Sequence, residues 1–115
     1  MEEEMLSMST QICTQGAIKA GWLTKRGGRW KSWHKRWCVL ASRGLFYFKT
    51  QSDSKAAGVV VMRGCSVEDA AMHEDISQDY CFCVRTPMRN YYFSAENEME
   101  KMDWIETLSS AVANR

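Results

Sequence analysis

Side chains able to bind an anion are concentrated in one stretch of the chain. Residues 17–50 carry nine Lys and Arg side chains and no Asp or Glu. All 14 acidic residues and the other six basic residues lie outside that range, so the formal net charge of +1 conceals a strong asymmetry. A cationic stretch without acids favours the binding of an anionic ligand over acid–base catalysis.

The spacing of these cations predicts that several of them converge. Side chains alternate across a β-strand, so Lys25, Arg36 and Tyr47 each continue the apolar face of a predicted strand toward the same end of the sheet. His34 lies on the same face of its strand as Arg36. Cations, a phenol and backbone amides of a Gly-containing turn suit a polyphosphate, with about 1.5–3 kcal/mol from each charge-assisted hydrogen bond.

The turn between the first two predicted strands, residues 25–31, adds Arg29 and Lys31 to this group. Each cation near an anionic membrane contributes about 1 kcal/mol of attraction. Trp30 at the tip of the turn suits the lipid interface, and folding back onto the domain is the open alternative. We expect the acidic connection around residues 68–79 to lie at the opposite end of the sheet.

The elements that must position these residues are seven short strands followed by one helix. Apolar runs bounded by Gly, Ser, Asp and Asn predict the strands, whose short connections make the sheet antiparallel. Asn97 and Glu100 have the spacing of a helix cap, and Met102, Ile105, Leu108 and Val112 form an apolar stripe. The remaining members of that face are Trp104 and Ala111. The predicted strands are Ile18–Thr24, Trp33–Ala41, Leu45–Lys49, Gly58–Met62, Cys65–Val67, Tyr80–Arg85 and Asn90–Ala95.

This pattern predicts a mainly β fold, a seven-stranded antiparallel partial barrel of two sheets capped by a C-terminal amphipathic helix. The apolar residues among residues 1–16 show no sustained helical or strand spacing, so we interpret this segment as a flexible leader before a domain at 17–113. The acidic start and the odd number of cysteines indicate a reducing, cytoplasmic setting, with the five cysteines as buried apolar residues. They form no CxxC pair and only His34 and His73 are available, so no metal or cofactor is expected.

Three stretches of the sequence resemble the pleckstrin homology (PH) domain family. They are GWLTKRGG at residues 21–28, WHKRWCVL at 33–40 and LFYF at 45–48. The later pieces GVV, CFCV, YFSA and the terminal helix with Trp104 and Ile105 follow in the order of the family. The resemblance covers residues 17–113 and implies the same strand and helix architecture.

The resemblance also implies a function. Many PH domains bind phosphoinositide headgroups, and Lys25, Arg29, Lys31, Arg36 and Tyr47 match positions that contact phosphates in members selective for 3-phosphorylated lipids. His34 stands where the family pattern has Lys or Arg. The implied function is recruitment from the cytoplasm to anionic membranes as a peripheral protein, with PtdIns(3,4,5)P3 or PtdIns(3,4)P2 as the preferred headgroup.

The main alternative is a PH-fold adaptor that binds a protein partner and only weakly and nonspecifically binds anionic lipid. A nucleic-acid binder is disfavoured because strand parity places the tryptophans of RWKSWHKRW opposite Arg36, which leaves no stacking platform. An enzyme is disfavoured because the basic stretch holds no paired carboxylates and no recognisable nucleophile motif.

Overall fold

Seven antiparallel strands and a long C-terminal helix make up most of the computed structural model, which describes residues 2–27, 31–73 and 75–113. Within these residues the strands are hydrogen-bonded as one open sheet in the order β4-β3-β2-β1-β7-β6-β5. The predicted fold class, seven antiparallel strands with a C-terminal helix, is confirmed, although the strands pair as one sheet instead of two and two short helices are added at the N-terminus. The elements are α1 (Glu2–Ser7), α2 (Thr10–Cys13), β1 (Lys19–Arg26), β2 (Trp33–Ala41), β3 (Gly44–Phe48), β4 (Gly58–Val60), β5 (Ser66–Asp69), β6 (Cys81–Arg85), β7 (Asn90–Ser94) and α3 (Glu98–Ala113).

The chain divides into two compact units, the first formed by Met1–Trp22 with Lys35–Met62. In this unit β3 pairs with β2 on one side and β4 on the other, and Tyr47 lies opposite Gly58. A Cβ added at Gly58 would overlap the phenol ring of Tyr47. Glycine at this position is therefore what leaves room for the tyrosine side chain.

The N-terminal segment departs from the sequence expectation of a flexible leader. Met5 of α1 and Cys13 of α2 are buried in a cluster with Val39, Phe46 and Phe48. The strands β2 and β3 carry apolar side chains on both faces, so the face that includes these three residues needs a cover. Burial on that face, rather than a local helical period, holds the two short helices in place.

Hydrogen bonds fasten the same segment to neighbouring loops of the first unit. The Thr10 N–H donates to the Ser54 carbonyl at 2.8 Å, and its hydroxyl donates to the Asp53 carbonyl at 2.8 Å. The Arg43 guanidinium donates to the Ile12 carbonyl at 3.0 Å. Residues 2–13 thus belong to the folded first unit.

The second unit comprises Leu23–His34 and Arg63–Arg115. Here β6 lies between β5 and β7, and β7 pairs with the end of β1, with Lys25 opposite Phe93. The Asn97 side-chain oxygen accepts the N–H of Glu100 at 2.8 Å, which confirms the predicted cap of α3. Among the described residues no helix is long and apolar enough to cross a membrane.

The buried face of α3 is rotated relative to the predicted stripe. Lys101, Trp104 and Leu108 are its buried residues, whereas Met102 is 47% exposed. Lys101 tolerates burial because its ammonium contacts the Asp69 carboxylate at 2.8 Å and a Glu98 oxygen at 3.0 Å. Hydrophobic spacing does not register such an ion pair, so the prediction placed Met102 wrongly on the buried face.

All five cysteines are free and buried, as the sequence predicted. Burial is the largest influence on the Cys81 thiol and, with the neighbouring Cys83, raises its pKa to about 12. A thiol held protonated in this way is unreactive. The cysteines therefore serve as apolar packing residues. They are Cys13, Cys38, Cys65, Cys81 and Cys83.

Candidate functional site

Lys25, Arg26, Gly27 and Lys31 form what we call the basic turn, the described part of the connection between β1 and β2. Lys25 and Arg26 are the last two residues of β1. The Gly27 N–H donates to the Ser32 carbonyl at 2.5 Å and closes the base of the turn. The predicted residues Arg29 and Trp30 lie outside the described residues.

A pocket of about 300 Å³ opens beside the basic turn, entirely within the second unit. Because β1 runs antiparallel to β7, the end of β1 lies next to the start of β7 and to the β6–β7 turn that precedes it. Among the residues that the structure describes, seven line the pocket and none of them is acidic. They are Lys25, Arg26, Gly27, Arg89, Asn90, Tyr91 and Tyr92.

Two cations of the pocket share one aromatic ring. The Lys25 ammonium lies 5.5 Å from the ring centroid of Tyr91, and the Arg89 guanidinium carbon lies 4.4 Å from the same centroid. Cation–π contacts of this kind hold both charges near the ring, and the Lys25 ammonium also donates to the Arg26 carbonyl at 3.4 Å. The arrangement suits a phosphorylated ligand, since an ammonium and a guanidinium fork can both donate to phosphate oxygens.

Asp75 of the β5–β6 connection also contacts the basic turn. Its carboxylate oxygen lies 3.3 Å from the Arg26 guanidinium and 3.9 Å from the Lys31 ammonium. The hydrogen bond from Arg26 is the main cause of the lowered pKa of Asp75. The expectation that the acidic connection lies away from the basic turn is therefore wrong.

Packing explains why this connection reaches the basic turn. Ile76 packs against a buried cluster on β6 and β7 that contains Cys81, Cys83 and Tyr92, and this contact anchors the loop. The Arg26 guanidinium in turn lies 4.3 Å from the ring centroid of Tyr92. The sequence around Asp75 gives no local signal of this long-range contact.

A polar chain fixes the position of Tyr92. The Nδ1 atom of His73 lies 3.2 Å from the Tyr92 hydroxyl, and its Nε2 atom lies 3.1 Å from a Glu68 carboxylate oxygen. Hydrogen bonds from Arg85 and then from His73 lower the pKa of Glu68. Glu68 is therefore an acceptor at neutral pH that orients His73, and His73 orients the phenol beneath Arg26.

The structure distributes the predicted site residues over both units. Lys25 lies with Arg89 in the pocket, while Lys31 lies beside Asp75 and is well exposed. His34 is exposed, with Nε2 at 2.9 Å from the Ser32 hydroxyl. Arg36 and Tyr47 belong to the first unit, where Arg36 donates to the Lys35 carbonyl at 2.9 Å and Tyr47 lies over Gly58.

Sequence reasoning missed the contribution of the β6–β7 turn and the start of β7. Arg89, Asn90 and Tyr91 lie outside the basic stretch at 17–50, so counting charges there could not find them. The sequence predicted an antiparallel sheet but not which strand pairs with β1. Once β7 is known to pair with β1, the hairpin turn that precedes β7 must lie next to the end of β1.

Comparison with known proteins places the chain in a family. Residues 17–113 match the sequence model of the PH domain. Human Sesquipedalian-1 is 34% identical over 102 residues, which cover 86% of this chain and 39% of that protein. The mouse dual adapter for phosphotyrosine and 3-phosphotyrosine and 3-phosphoinositide is 37% identical over 92 residues, covering 78% of this chain and 31% of that protein. The chain thus spans well under half the length of these relatives.

Solved structures agree with this match. The carboxyl-terminal PH domain of pleckstrin superposes with a TM-score of 0.74 at 26% identity, over 84% of this chain and 96% of that chain. The same domain in complex with D-myo-Ins(1,2,3,4,5)P5 gives a TM-score of 0.71 at 26% identity, over 83% of this chain and 97% of that chain. By sequence and by structure, this chain belongs to the PH domain family.

Proposed function

We propose that the chain is a phosphoinositide-binding module that recruits its parent protein from the cytoplasm to anionic membranes. The observation that carries the proposal is the pocket at the end of β1, where Lys25 and Arg89 both contact the Tyr91 ring and none of the described lining residues is acidic. The PH fold is a fold of non-catalytic binding modules, which is consistent with this role.

In this proposal the headgroup phosphates occupy the pocket of the second unit. Lys25 and Arg89 donate charge-assisted hydrogen bonds, and the Asn90 amide and Tyr91 hydroxyl supply neutral donors. Arg29 and Lys31 add attraction to the membrane surface. His34, Arg36 and Tyr47 are proposed as further ligands because the sequence resemblance assigns them that role.

We further propose a preference for 3-phosphorylated headgroups, PtdIns(3,4,5)P3 or PtdIns(3,4)P2. Support comes from the sequence pattern around Lys25 and Arg36 and from a relative whose name includes 3-phosphoinositide. The pleckstrin domain complexed with inositol pentakisphosphates supports a polyphosphorylated inositol as the ligand class.

The test is a vesicle sedimentation panel in which each phosphoinositide is diluted into the same phosphatidylcholine and phosphatidylserine background. We expect the wild type to bind vesicles with 3-phosphorylated lipids most strongly, and Lys25→Ala and Arg36→Ala to lose that preference. Arg63→Ala is the matched control, because Arg63 is an exposed cation outside the pocket lining.

Two results would move the conclusion to the protein-binding alternative. One is equal binding of all phosphoinositides and of phosphatidylserine alone. The other is a Lys25→Ala, Arg36→Ala double variant that binds as well as Arg63→Ala. If the wild type prefers a headgroup that lacks the 3-phosphate, the proposed membrane function stands and only the proposed 3-phosphate selectivity is wrong.

A further inference from the structure

Met88 at the tip of the β6–β7 turn is 91% exposed, although its side chain is large and apolar. A single exposed apolar residue is common in proteins and indicates nothing by itself. Met88, however, immediately precedes Arg89, whose guanidinium lines the pocket and lies over Tyr91. An apolar tip therefore stands directly beside the candidate ligand pocket.

The turn that carries Met88 is held by several hydrogen bonds. The Thr86 hydroxyl accepts the N–H groups of Met88 at 3.2 Å and Arg89 at 3.0 Å. The Thr86 N–H donates to the Arg89 carbonyl at 2.9 Å, which closes the turn. Pro87 fixes one backbone dihedral, and its ring lies beside Gly64. A turn ordered in advance loses little conformational entropy when its tip is buried against a partner.

The chemistry around the tip identifies the partner as a lipid surface. Arg89, Lys25 and Arg26 provide positive charge at the pocket, and Met88 provides apolar area next to it. An anionic bilayer offers phosphates at its surface and hydrocarbon immediately beneath them. Both kinds of group therefore gain contacts when the domain approaches such a membrane with this edge first.

We propose that Met88 inserts into the interfacial region of an anionic bilayer while the pocket beside it takes a headgroup phosphate. The inference rests on the proposed membrane function and adds an apolar anchor to it. Trp30, which the sequence suggested for this task, lies outside the described residues, so the Met88 anchor is argued on its own observations.

The first test compares Met88→Ser with Met99→Ser, a control in α3 whose methionine is 82% exposed. Binding is measured to vesicles of phosphatidylserine and phosphatidylcholine with and without PtdIns(3,4,5)P3, and to a soluble inositol phosphate. We expect Met88→Ser to bind both vesicles about fivefold more weakly, because an inserted methionine buries part of its apolar surface. Its affinity for the soluble ligand should not change, and Met99→Ser should match the wild type throughout.

The second test places an environment-sensitive fluorophore on Met88→Cys. The five native cysteines are buried, so the added thiol is the accessible one for labelling. We expect a blue shift on anionic vesicles at position 88 and none for Met99→Cys labelled in the same way. The proposal is overturned by an unshifted label on vesicle-bound protein, or by a Met88→Ser variant that loses soluble ligand and vesicle equally. A blue shift on phosphatidylserine vesicles without any phosphoinositide preference would support the anchor and contradict the proposed headgroup recognition.

Discussion

Replacing Arg89 by Ala tests the candidate pocket at the residue that only the structure revealed. The guanidinium carbon lies 4.4 Å from the Tyr91 ring centroid, on an exposed residue that lines the pocket. The turn itself is held through the backbone of Arg89 and the hydroxyl of Thr86, and Ala preserves those hydrogen bonds. The substitution should therefore leave the fold intact.

The expected loss follows from the hydrogen bonds that Arg89 would donate. A charge-assisted hydrogen bond contributes about 1.5–3 kcal/mol, and the exposed position of Arg89 favours the lower end of that range. A loss of about 1.5 kcal/mol corresponds to roughly tenfold weaker binding. Arg89→Lys keeps the charge but loses the guanidinium fork, so its affinity should fall between those of Ala and wild type.

Isothermal titration calorimetry with a soluble, short-chain PtdIns(3,4,5)P3 measures this loss without the contribution of the bilayer. Arg63→Ala carries the same charge change at an exposed site outside the pocket lining and should bind like the wild type. If Arg89→Ala and Arg63→Ala have the same affinity, long-range charge alone governs binding and the pocket is not the ligand site.

Three other predictions concern the loop and segment contacts around the site. Asp75→Asn should strengthen binding to anionic vesicles, because it removes the carboxylate that pairs with Arg26 and Lys31 of the basic turn. Vesicle sedimentation measures the effect, and an equal effect of the control Asp79→Asn would contradict the prediction. Burial raises the pKa of Asp69, but hydrogen bonds from Lys101 and a backbone N–H outweigh burial, so the net pKa is lowered. The Asp69–Lys101 ion pair therefore stabilises the fold at neutral pH, and this stabilisation is lost as the pH falls through the lowered pKa. Asp69→Asn should therefore cost about 1 kcal/mol in urea unfolding at pH 7 and flatten the acid side of the stability profile, and an unchanged profile would refute it. Deleting residues 2–13 should lower the free energy of unfolding by roughly 2–3 kcal/mol by uncovering apolar strand surface, whereas a flexible leader would leave it unchanged.

Much of the fold could be predicted because its signals are local. The strand β2 has the predicted bounds, Trp33–Ala41, and the other strands begin or end within a few residues of those expected. The turn residues and the alternation of apolar and polar side chains that indicate a strand can be recognised from a few neighbouring residues. The cap of α3 at Asn97 is local in the same sense.

The parts that could not be predicted depend on contacts between distant residues. The helices α1 and α2 form where Met5 and Cys13 find an apolar strand face to cover, and their own sequence has no helical period. The rotation of α3 depends on an ion pair between Lys101 and Asp69, 32 positions apart. Arg89 enters the candidate site through the pairing of β1 with β7.

Two adjacent cations at the end of β1 have different surroundings. Lys25 lies beside the Tyr91 ring, donates through Nζ to the Arg26 carbonyl at 3.4 Å, and lines the pocket together with Arg89. Arg26 also lines the pocket, but its guanidinium pairs with Asp75, a partner that an incoming anion must displace or compete with. The nine cations of residues 17–50 therefore do not act as one uniform field. The loop that supplies Asp75 sets how much of that charge a membrane encounters, so headgroup recognition and general attraction to anionic lipid can be altered by different substitutions.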